Sequence, residues 1–310
     1  MEIIRGTHNL NASHRGCVLT IGNFDGVHHG HQLLLAHLEA KKQEFDVPST
    51  LLTMEPAPRE FFRGEAVPAR LTRFREKVTL LEPFGLDRIL CLPFNEQLAN
   101  VSPQWVVEDL CHKYLDVRHV VVGDDFRFGK GAKGNYGTLE EAGRKYGFGV
   151  SSLGTLIYDS ERVSSTRVRQ LLALGDFGSA EKLLGHPYFI MGRVVYGRQL
   201  GRKLGVPTAN IQLQRYRAAL EGVYSVKVSG LGKIRYGVAN IGVRPTVDGR
   251  EPLLEVHIFD FDADIYGHLI SVEFCNKIRD EREFKDLEAL KLQIHHDLQV
   301  AKDWFGNDGR

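Results

Sequence analysis

VLTIGNFDGVHHGHQLLLAHLEAKKQ (residues 18–43) joins a short apolar run to an amphipathic segment through a loop rich in glycine and histidine. The apolar run Val18–Ile21 is typical of a buried strand. After the loop, Leu34, Leu35 and Leu38 recur at helical spacing. The stretch therefore predicts a strand, a glycine-bounded loop and a helix, which together form the repeating unit of a parallel α/β sheet.

The same alternation of strand and helix continues through the first half of the chain. Further strand-like apolar runs are Leu51–Met54, Ile89–Leu92 and His119–Val122. Helix starts are predicted at Thr72, at Ser102-Pro103 and in a capping box that begins at Thr138. These patterns predict an α/β domain with a mostly parallel, doubly wound sheet. Ligands of such sheets bind at the carboxyl ends of the strands.

The pattern changes near residue 185. Ser165–Leu184 still has helical spacing, with a break at Gly175. Beyond that segment the apolar runs are short, β-branched and separated by turn residues, with no helical pattern between them. They predict an antiparallel sheet closed into a small barrel, against which a long C-terminal helix packs. We therefore expect two domains, residues 1–185 with the doubly wound sheet and residues 186–310 with the barrel.

Length and composition limit the class of protein. At 310 residues the chain exceeds what one hydrophobic core usually supports. A formal net charge of +1 and the lack of a recognition helix argue against nucleic acid as a partner. The four cysteines form no CxxC pair, so we expect neither a disulfide framework nor a thiolate zinc site. No signal-peptide core or bilayer-length apolar run is evident, so we expect a cytoplasmic chain without a membrane partner.

The loop Gly22–His31 has residue types suited to binding phosphates. Glycines let the backbone approach a phosphate closely, and a helix N-terminus offers unpaired N–H groups with a partial positive charge. His28 and His31 are three residues apart and could donate hydrogen bonds to one ligand. The spacing alone is also compatible with a glycine turn that carries surface histidines. A zinc site is disfavoured because no further ligand lies at useful spacing.

VSSTRVR (residues 163–169) is a second candidate for anion binding. Ser165 and Thr166 could cap a helix, and Arg169 would lie in its first turn. Hydroxyls, free N–H groups and a guanidinium would then converge on a phosphate. An ordinary capped helix with solvated arginines has the same pattern.

GDDFRFGKGAKGN (residues 123–135) ends a predicted strand with two aspartates and continues as a loop of glycine and lysine. Such a loop could shape a nucleotide pocket. A β-turn with core phenylalanines is the alternative.

GRQLGRKLGVPTANI (residues 197–211) carries the candidate chemistry of the second half. Its glycines enclose a basic stretch with Arg198, Arg202 and Lys203. Thr208 and Asn210 are two residues apart on an extended segment, so their side-chain oxygens could both reach one Mg²⁺. A glycine-rich turn before an ordinary strand is the alternative. The segment is not a Walker-type P-loop, because it lacks GxxxxGK[ST].

Glu273 in SVEFC is the carboxylate that we single out as a candidate general base. Strand alternation places it on the face opposite Val272 and Phe274. A carboxylate there could orient or deprotonate a hydroxyl that attacks a phosphate. A solvent-facing strand glutamate is the alternative.

Together these motifs resemble a known family. GNFDGVHHGH is similar to the GxFDGVHxGH signature of the nucleotidyltransferase superfamily, VSSTRVR to its SSTxxR motif, and GDDFRFG to a GxDFxFG stretch. PTAN (residues 207–210) is similar to the signature of riboflavin kinases. Along nearly its whole length the chain resembles the prokaryotic bifunctional riboflavin kinase/FAD synthetase (FMN adenylyltransferase) family.

The resemblance implies an ATP-dependent transferase with a nucleotidyltransferase-like (Rossmann-like) domain and a barrel of riboflavin kinase type. The barrel would phosphorylate riboflavin to FMN, and the sheet domain would adenylylate FMN to FAD with release of pyrophosphate. Both steps would use Mg²⁺, because the charge that spreads over the phosphates must be neutralised. The partners implied are small-molecule flavins and ATP. A weak homo-oligomer is left open.

The family's site residues map onto this sequence by position. For adenylyl transfer the implied ATP contacts are Gly22, Asn23, Phe24, Asp25, Gly26, His28, His31, Ser165, Thr166 and Arg169, of which His28 and His31 would be catalytic. The implied flavin and nucleotide pocket contains Asp125, Phe126 and Phe128. For the kinase the implied ATP and flavin contacts are Gly201, Gly205, Pro207, Thr208, Asn210 and Arg279, with Thr208 and Asn210 on the metal and Glu273 as the base.

The chain departs from the family at Met54 and Ala57, where we expect an aromatic residue and a histidine. These changes leave the flavin contacts of the first domain open. Three rival functions remain: an enzyme with one live site, a nucleotidyltransferase for a small alcohol phosphate, and a flavin carrier without turnover.

Overall fold

The computed structural model describes residues 1–159, 161–197, 201, 205–246 and 249–308. The chain folds into two compact units, residues 1–67 with 73–164 and residues 68–72 with 165–310. Each unit has its own sheet, as the change in sequence pattern predicts.

The first unit is built on a six-stranded parallel sheet in the order β1-β4-β3-β2-β5-β6. The strands are β1 Glu2–Arg5, β2 Val18–Ile21, β3 Ser49–Glu55, β4 Arg88–Pro93, β5 His119–Gly123 and β6 Gly149–Leu153. From β2 the chain passes to β3 on one side, and it reaches β5 on the other side of β2 later. The strand order therefore reverses between β2 and β5, which is where open α/β sheets bind ligands.

Helices cover both faces of this sheet. They are α1 His29–Phe45, α2 Pro58–Arg63, α3 Phe74–Leu81, α4 Glu96–Ala99, α5 Pro103–Trp105, which continues as a π-helix over Val106–Tyr114, and α6 Tyr136–Tyr146. A small hairpin, β7 Ile157–Tyr158 with β8 Glu161–Arg162, follows β6. The doubly wound fold predicted from the alternation of strands and helices is confirmed. The sequence patterns did not identify β1, a short edge strand with only one buried residue.

Two of the three predicted helix starts need correction. Ser102 caps α5 as predicted, its hydroxyl accepting a hydrogen bond from Trp105 N–H at 3.1 Å. At α6 the cap is Asn135 instead of Thr138, because the Asn135 carboxamide accepts from Thr138 N–H at 3.1 Å. At α3 the cap position is Arg73 instead of Thr72, and the Glu76 carboxylate accepts the Arg73 N–H at 2.6 Å.

Separate apolar cores cover the two faces of the sheet. One joins β2 and β3 to α1, α3 and the loop between β2 and α1, and its members include Leu51, Leu38, Leu81, Phe24 and Val27. The other joins β2 and β5 to the π-helix and α6. The loop after β2 is therefore anchored in the core on the α1 face.

The second unit begins with two helices and continues as a barrel. The helices are α7 Ser165–Leu174 and α8 Phe177–Leu184, and they are separated at Gly175 (φ +78°), as the sequence predicts. The barrel strands are β9 Phe189–Val195, β10 Ala209–Gln212, β11 Gly222–Ser229, β12 Arg235–Thr246, β13 Gly249–Ile258 and β14 Leu269–Arg279, followed by α9 Leu287–Asp308. The strands close in the order β10-β13-β12-β11-β14-β9, with antiparallel pairing throughout the described part of the barrel.

The terminal helix α9 packs on the outside of the barrel. Ala301 of α9 is fully buried against Val223 and Val238. The small antiparallel barrel with a terminal helix is therefore confirmed. Because α7 and α8 belong to the second compact unit, that unit starts before residue 186, and the domain boundary at 185/186 stays a prediction.

Candidate active sites

His28 and His31 lie together at the start of α1. Their ring centroids are 3.7 Å apart, and the ring planes differ by 13°. His28 occupies the N-cap position, and its carbonyl oxygen accepts hydrogen bonds from the His31 N–H at 2.7 Å and the Gln32 N–H at 3.0 Å. Both imidazoles therefore lie at a helix N-terminus that follows the carboxyl end of β2.

The surroundings of His31 keep its ring uncharged at neutral pH. Burial lowers the pKa of His31 well below its usual value, and the charges of His28 and Lys77 lower it further. The Nδ1 atom of His31 and the Oδ1 atom of Asn23 are buried without a hydrogen-bond partner among the described residues. Because buried polar atoms normally have partners, both atoms are available to a ligand.

The loop before the histidines is held in a conformation that side chains rarely adopt. Phe24 (φ +48°) and Val27 (φ +43°) are left-handed, and Gly26 has φ +86°. Such a conformation is a marked outlier for a β-branched residue. Phe24 is 1% and Val27 0% exposed, so core packing compensates for the strain and fixes the loop in advance of any ligand.

The remaining loop residues lie close to this framework. The Gly22 N–H donates to the Leu52 carbonyl oxygen at 3.0 Å, which extends the pairing of β2 with β3 by one residue. A Cβ atom on Gly22 would lie 3.1 Å from the Phe24 ring. Asp25 is half-buried between Phe24 and Gly26. The loop is thus preformed, while the contacts of its residues with ATP stay a prediction.

The GDDF segment follows β5, the strand next to β2. Asp124 accepts from the Thr155 N–H at 3.1 Å, and Asp125 forms an ion pair with Arg162. The Phe126 and Phe128 rings stack with centroids 5.5 Å apart, and Phe128 is 8% exposed. Both phenylalanines pack against the core on the π-helix face. They support the loop, and a flavin contact by these residues and Asp125 stays a prediction.

VSSTRVR starts beside the loop of residues 22–31, which we call the histidine loop. A Cβ atom on Gly30 would lie 3.9 Å from the Val163 carbonyl oxygen. Ser165, Thr166 and Arg169 then form the start of α7, which belongs to the second compact unit. Thr166 is exposed, Ser165 and Arg169 are half-buried, and the Arg169 Nε–H donates to the Ala69 carbonyl oxygen. Their convergence with His28 and His31 on one ATP stays a prediction.

In the second unit, glycines bring the backbone against the PTAN residues. A Cβ atom on Gly197 would lie 2.3 Å from Asn210 Nδ2, and one on Gly201 would lie 2.3 Å from the Val206 carbonyl oxygen and 3.3 Å from Thr208 Oγ1. Gly205 has φ +78°, which favours glycine. The predicted basic residues Arg198, Arg202 and Lys203 of this segment lie outside the described residues.

Thr208 and Asn210 present oxygen atoms of the kind that Mg²⁺ prefers. The Asn210 amide Nδ2–H donates to the Thr208 carbonyl oxygen at 3.4 Å, which leaves the amide oxygen of Asn210 as an acceptor. A hydroxyl and an amide oxygen on neighbouring positions suit a hard cation that also binds phosphate oxygens. The donor set therefore fits the predicted metal.

Glu255 is a carboxylate beside this pair that sequence reasoning missed. Asn210 on β10 is paired with Glu255 on β13, which is paired in turn with Asn240 on β12. Directly opposed residues of an antiparallel pair have side chains on the same face, about 5 Å apart. The Asn240 Oδ1 atom is buried without a hydrogen-bond partner in the described ranges. Three polar side chains thus form one row on the barrel surface.

Glu273 lies elsewhere on the barrel. It is paired with Phe189 of β9, whereas Asn210 is paired with Val195 of the same strand. Six residues along a strand correspond to about 20 Å. Glu273 forms a half-exposed ion pair with Lys227 at 3.1 Å. The structure therefore does not bring Glu273 together with Thr208 and Asn210, although its predicted strand face is correct.

Arg279 forms an ion pair with Asp297. Its guanidinium lies 2.9 Å from Asp297 on α9, with both Nε and NH2 in contact with the carboxylate, and Asp297 is 3% exposed. Gln293 Nε2 donates to the same carboxylate at 2.6 Å. These bonds attach α9 to the end of β14, and a flavin or phosphate contact by Arg279 stays a prediction.

A cavity of about 300 Å³ opens beside Thr208. Pro207, Thr208 and Ala209 form one wall, and the connection from Phe261 to Tyr266 forms another. Pro207 is held in place by His257, whose Nδ1 lies 2.8 Å from the Pro207 carbonyl oxygen. The cavity is of a size that suits a small molecule.

Two family models match separate parts of the chain, and full-length relatives match nearly all of it. The model of the FAD synthetase family matches residues 10–167, and that of the riboflavin kinase family matches residues 184–305. A relative from Escherichia coli (strain K12) is 48% identical over 308 residues, covering 99% of this chain and 98% of its own. A Pseudomonas fluorescens relative is 49% identical, with 97% of both chains covered. Both are named bifunctional riboflavin kinase/FMN adenylyltransferase.

One solved structure shares the fold of almost the whole chain. It is described as a macrolide-efflux protein from Streptococcus pneumoniae and is 28% identical, with a TM-score of 0.81. The match covers 98% of this chain and 100% of that one. Across the described ranges, no helix combines the length and apolarity needed to cross a membrane.

Proposed function

The chain belongs to the family of bifunctional riboflavin kinases/FMN adenylyltransferases, and from that premise we propose an assignment of its residues to the two reactions. The protein phosphorylates riboflavin to FMN with ATP, and it adenylylates FMN to FAD with release of pyrophosphate. The observation that carries the assignment is that each compact unit contains its own polar cluster, His28 with His31 in the first and Asn210 with Glu255 in the second.

For adenylyl transfer, the histidine loop binds the ATP phosphates. The FMN phosphate attacks the α-phosphorus of ATP, and the bond to the leaving pyrophosphate breaks. Negative charge grows on the leaving oxygens, so N–H groups at the start of α1 and the His28 and His31 imidazoles stabilise it. The left-handed Phe24 and Val27 hold this loop ready, so little reorganisation accompanies binding. The family resemblance implies further ATP contacts by Ser165, Thr166 and Arg169.

For phosphorylation of riboflavin, the PTAN segment (residues 207–210) binds the ATP phosphates. Thr208 and Asn210 hold Mg²⁺, which neutralises phosphate charge when bound. Glu255 orients and deprotonates the riboflavin 5′-hydroxyl, because it is the carboxylate paired with Asn210. Gly197 and Gly201 permit the close approach of backbone to Asn210 and Thr208. Glu273 instead forms an ion pair with Lys227.

Several finer features belong to the same proposal. Mg²⁺ serves both reactions, the domain boundary lies near residue 185, and the protein acts in the cytoplasm. Asp125, Phe126 and Phe128 shape the pocket on the flavin side of the first unit.

Incubation of the purified chain with riboflavin and Mg-ATP, with FMN and FAD followed separately by chromatography, tests both halves. We expect FMN to appear first and FAD to follow. FAD formation from supplied FMN without phosphorylation of riboflavin would show that only the first unit is live. Bound flavin without any product would favour a carrier.

A further inference from the structure

Lys77 is a lysine whose side chain is almost entirely buried. It lies on α3 and is 2% exposed. Its Nζ donates to Thr53 Oγ1 at 3.2 Å and lies 3.6 Å from Glu55 Oε1, both on β3. A buried ammonium is costly to desolvate unless anionic or polar groups surround it. Glu55 and Thr53 are two of the groups that offset this cost.

The ammonium of Lys77 lies beside the histidine loop. Thr53 follows Leu52, and Leu52 is paired with Ile21 and accepts the N–H of Gly22. Thr53 is therefore level with Gly22, at the carboxyl end of the sheet. Its side chain lies on the same face as that of Leu51, two residues earlier, which packs in the core with α1 and with Phe24. The Lys77 charge also contributes to lowering the pKa of His31.

We propose that Lys77 is a positioning residue of the adenylyltransferase site, whose buried ammonium supplies the fixed positive charge for the polyphosphate of ATP. Thr53 and Glu55 hold the ammonium in place before ATP binds. The inference rests on the proposed function of the histidine loop and adds a residue that none of the sequence motifs contains. No covalent step involves Lys77, because the role is electrostatic.

The geometry gives this charge two effects. First, the ammonium adds to the effects of burial and of His28, which lower the pKa of His31, so the stacked rings at 3.7 Å do not both become cationic before ATP binds. Second, it lies in a poorly solvated part of the protein, where its attraction for a polyanion is screened less than that of a surface lysine. The ammonium should therefore strengthen the binding of ATP and of the leaving pyrophosphate, whereas the binding of FMN should depend on it less.

The test compares Lys77→Met with Lys42→Met. Both lysines are in the first unit and in ion pairs, but Lys42 pairs with Asp87 at 2.9 Å near the amino ends of the strands, far along the sheet from the histidine loop. For Lys77→Met we expect the affinity for Mg-pyrophosphate, measured by isothermal titration calorimetry, to fall roughly tenfold or more. The KM for ATP should rise by a similar factor while the KM for FMN changes little. Lys77→Arg should restore part of the affinity, and Lys42→Met should bind as the wild type does.

A measurement on the unaltered protein keeps the proposal testable if Lys77→Met does not fold. The NMR signal of the Lys77 ammonium should shift when Mg-pyrophosphate is added. An unmoved signal, or wild-type pyrophosphate binding by Lys77→Met, would overturn the inference.

His28→Ala/His31→Ala separates this inference from the proposed function. If that variant loses pyrophosphate binding while Lys77→Met keeps it, only the role of Lys77 is wrong. If both keep it, the histidine loop is not the phosphate site.

Discussion

Asn210 lies directly opposite Glu255 in the antiparallel pairing of β10 with β13. The neighbouring residues Ile211 and Leu254 are fully buried in the barrel, so Asn210 and Glu255 share its outer face. Glu273 is on the outer face as well, but about six residues away along β9. Glu255 and Glu273 have the same alternating pattern in the sequence, and only the pairing register shows which of them lies beside Asn210.

Glu255→Gln should lower the rate of riboflavin phosphorylation by about 10²-fold or more, because general-base contributions have this size. FMN supplied directly should still be converted to FAD at the wild-type rate. The measurement is the initial rate of FMN formation from riboflavin and Mg-ATP.

Glu273→Gln is the matched control for this substitution. It removes a half-exposed ion pair with Lys227, so riboflavin phosphorylation should stay within about twofold of wild type. The reverse pattern, with Glu273→Gln inactive and Glu255→Gln active, would restore the base that the sequence pattern first suggested.

His28→Ala/His31→Ala should slow FAD formation so strongly that FMN accumulates from riboflavin. The two rings form one stack at the start of α1, so removal of both takes away N–H donors that stabilise the leaving pyrophosphate. A loss of about 10³-fold in the adenylylation rate is expected, since loss of one such donor already costs 10²- to 10³-fold. Loss of both activities would refute the assignment of adenylylation to the first unit and of riboflavin phosphorylation to the second. His37→Ala, at a histidine further along α1 that contacts Ser151, is the control.

Gly197→Ala should impair the kinase without affecting adenylylation. The new methyl group would lie 2.3 Å from Asn210 Nδ2, which forces the amide or the loop to move. We expect the KM for Mg-ATP in riboflavin phosphorylation to rise about tenfold, because displacement of a ligand-binding group by an ångström has effects of this order or larger. Gly306→Ala, where a Cβ atom meets nothing within 4 Å, should leave the kinase unchanged.

Arg279→Ala should destabilise the second unit by about 3 to 5 kcal/mol, because it leaves the buried carboxylate of Asp297 without its cation. Urea unfolding followed by the fluorescence of Trp304 reports on α9, if Trp105 is first replaced by phenylalanine. Lys285→Ala, at an exposed neighbour, should change the unfolding free energy by less than about 0.5 kcal/mol. Full stability of Arg279→Ala combined with loss of flavin binding would instead support the role that the family resemblance implies.

The first unit should lose stability as the pH falls from 6.5 to 4. Burial lowers the pKa of His119 to about 4, and the pKa of His31 is lowered as well. In this window the unfolded chain binds protons that the folded chain excludes, so the free energy of unfolding decreases on acidification. His119 alone accounts for at most about 3 kcal/mol.

The check is urea unfolding at pH 7.0, 5.5 and 4.5, followed by Trp105 fluorescence in a Trp304→Phe background. His119→Gln should flatten the dependence, since glutamine does not titrate. His8→Gln, at a histidine outside the sheet, should reproduce the wild-type curve. Equal slopes for wild type and His119→Gln would show that His119 is not responsible.

Features formed by residues close together in the sequence are the ones that the sequence predicts correctly. Val18–Ile21, the histidine loop and α1 are local features, and the stacked His28 and His31 lie one helical turn apart. Likewise, PTAN is contiguous, so Thr208 and Asn210 could be recognised without knowledge of the fold.

Long-range features could not be recognised in this way. The partner of Asn210 is 45 residues away, at Glu255, and only the strand register brings the two together. Alternation assigned Glu273 to the correct face, but it contains no information on position along the barrel. Lys77 resembles any other helical lysine in the sequence, because its burial depends on contacts with β3.

Closure of the barrel also affects how copies of this protein can associate. Each of its six described strands is paired on both sides over part of its length. Backbone N–H and C=O groups stay open to another chain where a strand extends past one of its partners, as at 242–246 of β12. The parallel sheet has two edge strands, β1 and β6, each paired on one side only among the described residues. The four-residue β1, with charged Glu2 and Arg5 exposed at its ends, is a poor template for such growth. At high concentration, β6 is therefore the edge at which we would look for the first intermolecular β-pairing.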